Sequence, residues 1–277
     1  MDIFRTQRGA AIAFVRSGAG TPVLALHGAY STHHEIRAIV EPVLAEREYR
    51  VILPDLPGMG ESTAEGVGSA EEVLDVLDEL IAAEFGDERM LVIGQSFGGH
   101  IARGLAARHP DRVLGLVLIC PLMTGPLEAD RATVVRDDPG AADGLDPALR
   151  SEFEGYFLVR TAATAARFAE AVAPAIGRFD AEAVERIMTS AEFRTDPADV
   201  RLEAPALIVT ARHDSFVGHV RQQELVEFYP RATATVVADA GHALPHERPE
   251  LLGALMADLL DRLQHVSGPA DDRVEPR

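Results

Sequence analysis

A serine framed by glycines, Gly94-Gln95-Ser96-Phe97-Gly98, follows the aliphatic run Met90-Leu91-Val92-Ile93 and precedes a helix-like stretch from Gly99 to Arg108. At this spacing Ser96 can sit on a sharp strand-to-helix turn with its hydroxyl exposed, because glycine permits a backbone approach that a Cβ would obstruct. A neutral serine is a poor nucleophile and needs a base within hydrogen-bond reach. His242, in Asp239-Ala240-Gly241-His242-Ala243 just past a strand-like run ending at Val237, can be that base. Asp214, in Ala211-Arg212-His213-Asp214-Ser215 beyond the run ending at Thr210, can orient the imidazole and stabilise its charged form. Asp239 is a rival acid closer to His242 in the chain, but the loop after the preceding strand is the better-placed source. Each residue also has a plainer reading: a helix-capping serine, a surface histidine, a turn aspartate. Taken together they point to nucleophilic attack on a carbonyl.

His27-Gly28-Ala29-Tyr30 closes another apolar run. Its glycine-bearing turn can aim the Ala29 N–H, in preference to that of Tyr30, at a developing oxyanion. The N–H of Phe97, directly after the nucleophile, is the second candidate donor. His27 itself reads as a structural residue of the loop.

These positions need strands that end in loops at one edge of a sheet. Apolar runs at Ala11–Val15, Val23–Leu26, Arg50–Leu53, Met90–Ile93 and Val113–Ile119 read as strands, with helices between them at Ile36–Arg47 and Ala70–Phe85. The strands lack clean polar alternation, as expected where helices cover both faces of a parallel sheet. From Pro121 to Val200 strand signal fades, loops are marked at Asp137–Gly140 and Asp143-Gly144, and helices are expected at Ala148–Val159, Ala162–Val172 and Ala181–Thr189. Alternation resumes with a strand at Ala206–Thr210, a helix near Val220–Phe228, a strand at Ala234–Val237 and a helix from Pro249 to Leu263. The expected organisation is a core of residues 1–120 and 201–265, a helical insertion over 121–200 and a disordered tail over 266–277.

The chain has 277 residues, 47% of them hydrophobic, enough for one large core. With 44 acidic against 26 basic residues its formal charge is −18, which argues against nucleic acid as a partner. The single cysteine, Cys120, cannot form an internal disulfide and reads as a small buried hydrophobe. No signal-like h-region opens the chain, and the apolar stretch Val113–Met123 is too short to cross a bilayer, so a cytoplasmic protein without a membrane partner is expected. The histidines lack convincing zinc spacing and no phosphate-binding glycine loop follows a strand, so neither metal nor cofactor is expected.

On Leu26-His27-Gly28, Asp55-Leu56-Pro57-Gly58-Met59-Gly60-Glu61-Ser62, Gly94-Gln95-Ser96-Phe97-Gly98-Gly99, Gly241-His242 and His246-Glu247-Arg248-Pro249, the chain resembles the α/β-hydrolase superfamily from about Ile12 to Leu263. The order Ser96, Asp214, His242 is that superfamily's order. The resemblance is to its cap-bearing branch of esterases, lactonases and carbon–carbon bond hydrolases. It implies a mostly parallel central sheet covered by helices, with residues 121–200 as a helical cap, and a Ser96–Asp214–His242 triad. Haloalkane dehalogenases and epoxide hydrolases carry aspartate where this chain has Ser96; cofactor-free haloperoxidases share the triad. Relatives with the acid after the strand that here ends at Ile119 are set aside by Cys120-Pro121. Met59 departs from the histidine, phenylalanine or arginine more common in that loop, which is usually structural.

The implied substrate is a small to medium, largely apolar carboxylic ester or lactone, cleaved through an acyl-enzyme. Carbon–carbon cleavage of a ketone-bearing substrate, and a lyase, cyclase or small-molecule binding role, are the alternatives. Phe153, Tyr156, Phe157, Phe168 and Met188 of the insertion, with Met123 at its entrance, are candidate pocket residues. Tyr30, His33 and His34 are candidates for contact with a polar substrate group. The chain is expected to act as a monomer or homodimer.

Overall fold

A computed structural model describes residues 1–125 and 132–266, except the side chains of 265 and 266. Its elements in chain order are β1 (Asp2–Arg5), β2 (Ala11–Gly18), β3 (Thr21–Leu26), α1 (His33–Leu44), β4 (Tyr49–Pro54), α2 (Ala70–Phe85), β5 (Met90–Gln95), α3 (Phe97–Arg108) and β6 (Val113–Ile119). There follow β7 (Arg136–Asp137), α4 (Pro147–Tyr156), β8 (Val159–Arg160), α5 (Ala162–Arg167), α6 (Ala181–Thr189), β9 (Ala206–Ala211), β10 (Ala232–Val237), α7 (Leu244–Glu247) and α8 (Pro249–Val266).

Among the described residues the main sheet has eight strands in the order β1-β2-β4-β3-β5-β6-β9-β10. The run from β4 to β10 is parallel, while β2 pairs antiparallel with both β1 and β4. Strand residues alternate between two buried clusters. Leu24, Leu26, Met90, Val92, Leu116 and Leu118 point to the side of α2 and α3, whereas Val23, Ala25, Leu91, Ile93, Val117 and Ile119 point to that of α1 and α8. A strand buried on both faces has no polar side to show, which is why these runs read as continuously apolar.

Helix α2 spans the expected Ala70–Phe85. It opens on Ser69, whose hydroxyl accepts the Glu72 N–H, and closes at Gly86. The sequence reading did not include β1, an edge strand of mostly exposed residues. The expected helix near Val220–Phe228 is a 3-10 turn over Arg221–Glu227. Residues 148–172 also differ: α4 stops at Tyr156, Val159–Arg160 pairs with β7, and a π-helical turn, Phe168–Val172, continues α5. The break coincides with backbone N–H groups that turn away from the helix to a buried carboxylate. The expected tail lies, beyond Val266, outside the described residues. Among the described residues no helix is long and apolar enough to cross a membrane.

Candidate active site

The turn after β5 places Ser96 at φ 54° and ψ −119°, in a region L-residues rarely adopt. Hydrogen bonds hold it there from both sides. Its N–H donates to the Ile119 carbonyl at 2.9 Å, and its carbonyl accepts from His100 at 3.1 Å and Leu122 at 3.0 Å. Gly98 is required by close packing: a Cβ on it would lie 2.3 Å from the Leu26 carbonyl oxygen and 2.4 Å from that of His27. Among the described residues the non-glycine positions with positive φ are Tyr30, Ser96 and Cys120, which follow β3, β5 and β6. Strain of this kind persists where surrounding structure enforces it, and here it gathers at the ends of adjacent strands.

Beyond β9, Asp214 is fully enclosed. Its Oδ2 lies 2.7 Å from His242 Nδ1, while Oδ1 accepts the N–H groups of Phe216 at 2.9 Å and Val217 at 3.0 Å. The rival Asp239 is exposed and sits 3.9 Å from Arg248. Burial opposes a charge on Asp214, but His242 and the two amides outweigh it and hold its pKa below the usual value. Burial likewise opposes a charged His242; the charge and hydrogen bond of Asp214, aided by Glu35 and Glu247, prevail and raise its pKa above 6.5. With Nδ1 donating to Asp214, the neutral ring carries its free lone pair on Nε2, the tautomer a general base needs.

The loop after β3 comes to Ser96. A Cβ on Gly28 would lie 3.2 Å from Ser96 Cβ. His27 holds this loop: Nδ1 donates to the Gly28 carbonyl at 2.7 Å and Nε2 accepts the Leu56 N–H at 2.9 Å. Burial lowers its pKa, in keeping with a neutral ring. Ala29 is partly buried and packs against the core. The Phe97 N–H belongs to the first turn of α3, where amides have no acceptor inside the helix.

The remaining sequence candidates part company. His33 is occupied by Asp55, which takes both its N–H at 2.7 Å and Nδ1 at 2.8 Å, and the His34 ring lies tilted against that of His33 at 4.2 Å. Tyr30 is 42% exposed and packs edge-on against Phe179. Phe153, Phe157 and Phe168 close on one another in a separate buried cluster with Ala165 and Ala243. Met188 packs against the core, as does Met123, whose sulfur accepts from Arg103. Tyr156 reaches furthest inward: its ring lies 6.1 Å from that of His242, and its hydroxyl contacts Glu35 and Gln95. Met59 is buried in the core, so the departure in that loop is a packing choice.

Two residues of the site were not among the sequence candidates. Glu35 looks like an ordinary first-turn acid of α1, yet it is buried and accepts from Ser31, from the Tyr156 hydroxyl at 3.1 Å and from His246 at 3.3 Å. Glu247 looks like a helix-opening acid. Its Oε1 accepts the N–H groups of Leu158 at 2.6 Å and Val159 at 2.9 Å, and its Oε2 that of Gly241 at 2.7 Å. It thus ties the insertion to the loop carrying His242. Phe216, at 5.2 Å from the His242 ring, was also missed.

Cys120 is more than an apolar filler. Cys120 Sγ, an Asp214 oxygen and a His242 nitrogen lie within 4.8 Å of one another, ligand types that could hold a metal. The carboxylate oxygens are already committed to His242 and two amides, so an ion would have to displace those bonds. Burial, then the neighbouring Asp214, push the thiol pKa well up, which keeps it protonated rather than ligating.

A mostly parallel sheet with a strained serine after β5 and a buried aspartate–histidine pair beyond β9 and β10 defines an α/β hydrolase. The model of the alpha/beta hydrolase fold family matches residues 21–249, and the chain belongs to that family. It is 29% identical over 250 residues to a pyrethroid hydrolase of Sphingobium wenxiniae, covering 87% of this chain and 88% of that one. It is 30% identical over 247 residues to a pimeloyl-[acyl-carrier protein] methyl ester esterase of Aeromonas hydrophila, covering 82% and 91%. An alpha/beta superfamily hydrolase from Oenococcus oeni superposes with a TM-score of 0.85 at 23% identity, over 95% of this chain and all of the other.

Proposed function

We propose that this hydrolase is a serine carboxylic ester hydrolase acting through an acyl-enzyme. The observation that carries the reading is the 2.7 Å contact of Asp214 with His242 Nδ1, at the strand ends where Ser96 is held at positive φ. A hydrolase and a methyl ester esterase among the relatives support the same class of reaction. Ser96 Oγ attacks the ester carbonyl carbon as His242 Nε2 takes its proton. The oxyanion is received by the N–H groups of Ala29 and Phe97. The carbon–oxygen bond to the alcohol breaks, and the alcohol leaves with the proton from His242. Water then attacks the acyl carbon and gives a proton to His242. The bond to Ser96 breaks, the proton returns to Oγ, and the acid departs. Asp214 keeps its charge throughout and stabilises the imidazolium.

The insertion between β6 and β9 serves as a cap that brings Tyr156 beside His242, while Phe216, from the loop after β9, borders the same ring. The two aromatic rings beside His242 suit a medium-sized, largely apolar ester or lactone. The test is the time course of p-nitrophenyl acetate and butyrate hydrolysis. Wild type turns over with an early burst, and Ser96→Ala loses at least about 10³-fold in rate. Equal rates in the two proteins refute the reading.

A further inference from the structure

The backbone ladder between β6 and β9 stops short of the site. Ile119 pairs with Val209, and the Cys120 N–H adds a bond to the Val209 carbonyl at 2.8 Å. Among the described residues no backbone hydrogen bond joins the loops that follow, residues 121–124 behind Ser96 and residues 212–217 around Asp214. Both loops nevertheless meet on one side chain. Gln222 is fully buried, and its Nε2 donates to the Pro121 carbonyl at 3.1 Å and to the Val217 carbonyl at 3.0 Å. A carboxamide nitrogen carries two hydrogens, one for each carbonyl. Turned over, the group would set its oxygen against both carbonyls, so its orientation is fixed. The Oε1 on the other side has no partner among the described residues, and an unmatched buried acceptor is a cost. What this side chain contributes therefore lies in its two hydrogens.

Each of the two carbonyls stands next to a group that holds Ser96 or Asp214. Val217 gives its own N–H to Asp214 Oδ1 at 3.0 Å. Leu122, adjoining Pro121, gives its N–H to the Ser96 carbonyl at 3.0 Å. Pro121 itself packs on the start of α3, where a Cβ on Gly99 would lie 2.9 Å from the proline Cβ. The 3-10 turn over Arg221–Glu227 buries Gln222, and Arg221 of the same turn donates to the Thr124 carbonyl at 2.6 Å. Hydrogen bonds and peptide links thus run without a gap from Ser96 through Leu122, Pro121, Gln222 and Val217 to Asp214.

We infer that Gln222 is a positioning residue of the hydrolysis: its carboxamide fixes the separation of Ser96 and Asp214, the span that the His242 ring must bridge. The inference rests on the serine ester hydrolase reading. Proton transfer across the ring needs both contacts at once, and a misplacement of about 1 Å can cost about 10²-fold in rate.

Gln222→Met keeps the length of the side chain and removes both hydrogens. With p-nitrophenyl acetate its kcat falls at least about tenfold while KM stays within about threefold. The low-field proton resonance of His242 Nδ1–H, recorded below pH 6.5 where the ring is charged, moves upfield as the bond to Asp214 lengthens. In an Asp214→Asn background the same substitution costs less than about twofold, because the rate that remains there comes from the oxyanion donors and binding. Should Gln222→Met fail to fold, Gln222→Glu, of the same shape but with at most one hydrogen to give, takes its place in every measurement. An unchanged kcat in the folded variant overturns the inference. So does a lower kcat with the resonance unmoved, or an equal loss with and without Asp214, either of which marks a side chain that only supports the fold. In each of these cases Ser96-dependent turnover by wild type leaves the hydrolase reading standing. Absence of that turnover overturns both.

Discussion

The two halves of the site are held in different ways. On the core side, Ser96, Asp214 and His242 stand in short loops beyond β5, β9 and β10, and the parallel ladder decides where those loops begin. On the insertion side, Tyr156 is placed by the Phe153–Phe157–Phe168 cluster and by single hydrogen bonds to Glu35 and Gln95. Glu247 joins the halves, receiving two amides from the insertion and one from the His242 loop. A ladder distributes positional constraint over many bonds, whereas packing plus a few hydrogen bonds concentrates it. Loss of one group should therefore be local and chemical on the core side, but spread through the segment on the insertion side.

The strongest way to sharpen this contrast is Asp214→Asn. It should cost about 10³–10⁴-fold in kcat/KM with little change in fold, because the amide can favour the wrong imidazole tautomer. The pH profile gives an independent reading. Since Asp214 raises the His242 pKa, the basic form that catalysis requires is reached only above pH 6.5, and the wild-type rate should climb with pH through a midpoint above that value. In Asp214→Asn the limb should move towards acid; an unmoved limb would break the assignment of Asp214 as the partner of His242.

Phe153→Ala addresses the other half. Truncating a fully buried phenylalanine costs about 3–5 kcal/mol of packing. The expected outcome is faster amide hydrogen exchange over residues 147–175, with kcat for p-nitrophenyl acetate falling less than the Asp214→Asn value. If core and insertion lose protection together, the halves are a single cooperative unit and the contrast fails.

The smallest effect is expected at the joint. In Glu247→Gln one of three backbone N–H groups faces an amide NH₂ instead of an oxygen, a loss of about 1–3 kcal/mol. Because the site is looser without being dismantled, kcat should drop about tenfold with KM changed less than threefold. Glu247→Ala with no kinetic change would show that the insertion and the His242 loop are independent.

The same contrast governs what could be read from the chain. Ser96, Asp214 and His242 were each recognisable because a polar residue stands in the short loop after an apolar run, and the sheet brings successive strand ends together. Helix α2 was recognisable as a helical stretch between strand-like runs, with both its ends, Ala70 and Phe85, as the structure has them. The end of α4 was not, since it depends on Leu158 and Val159 turning their amides to Glu247, 88 or more residues away in sequence. His33 looked available for substrate and is consumed by Asp55. Phe157 and Phe168 looked like pocket wall and are interior packing.

The sequence by itself determined the sheet, its strand-end loops and the residue types standing there, because alternation, glycine placement and apolar run length act within a few residues. The tertiary structure alone decided that Cys120 lies beside the Asp214–His242 pair, and that Glu35, Tyr156 and Gln95 share one chain of hydrogen bonds. Those outcomes depend on hydrogen-bond partners far apart in the chain, and the direction of a hydrogen bond is set only when both partners and the burial around them are in place.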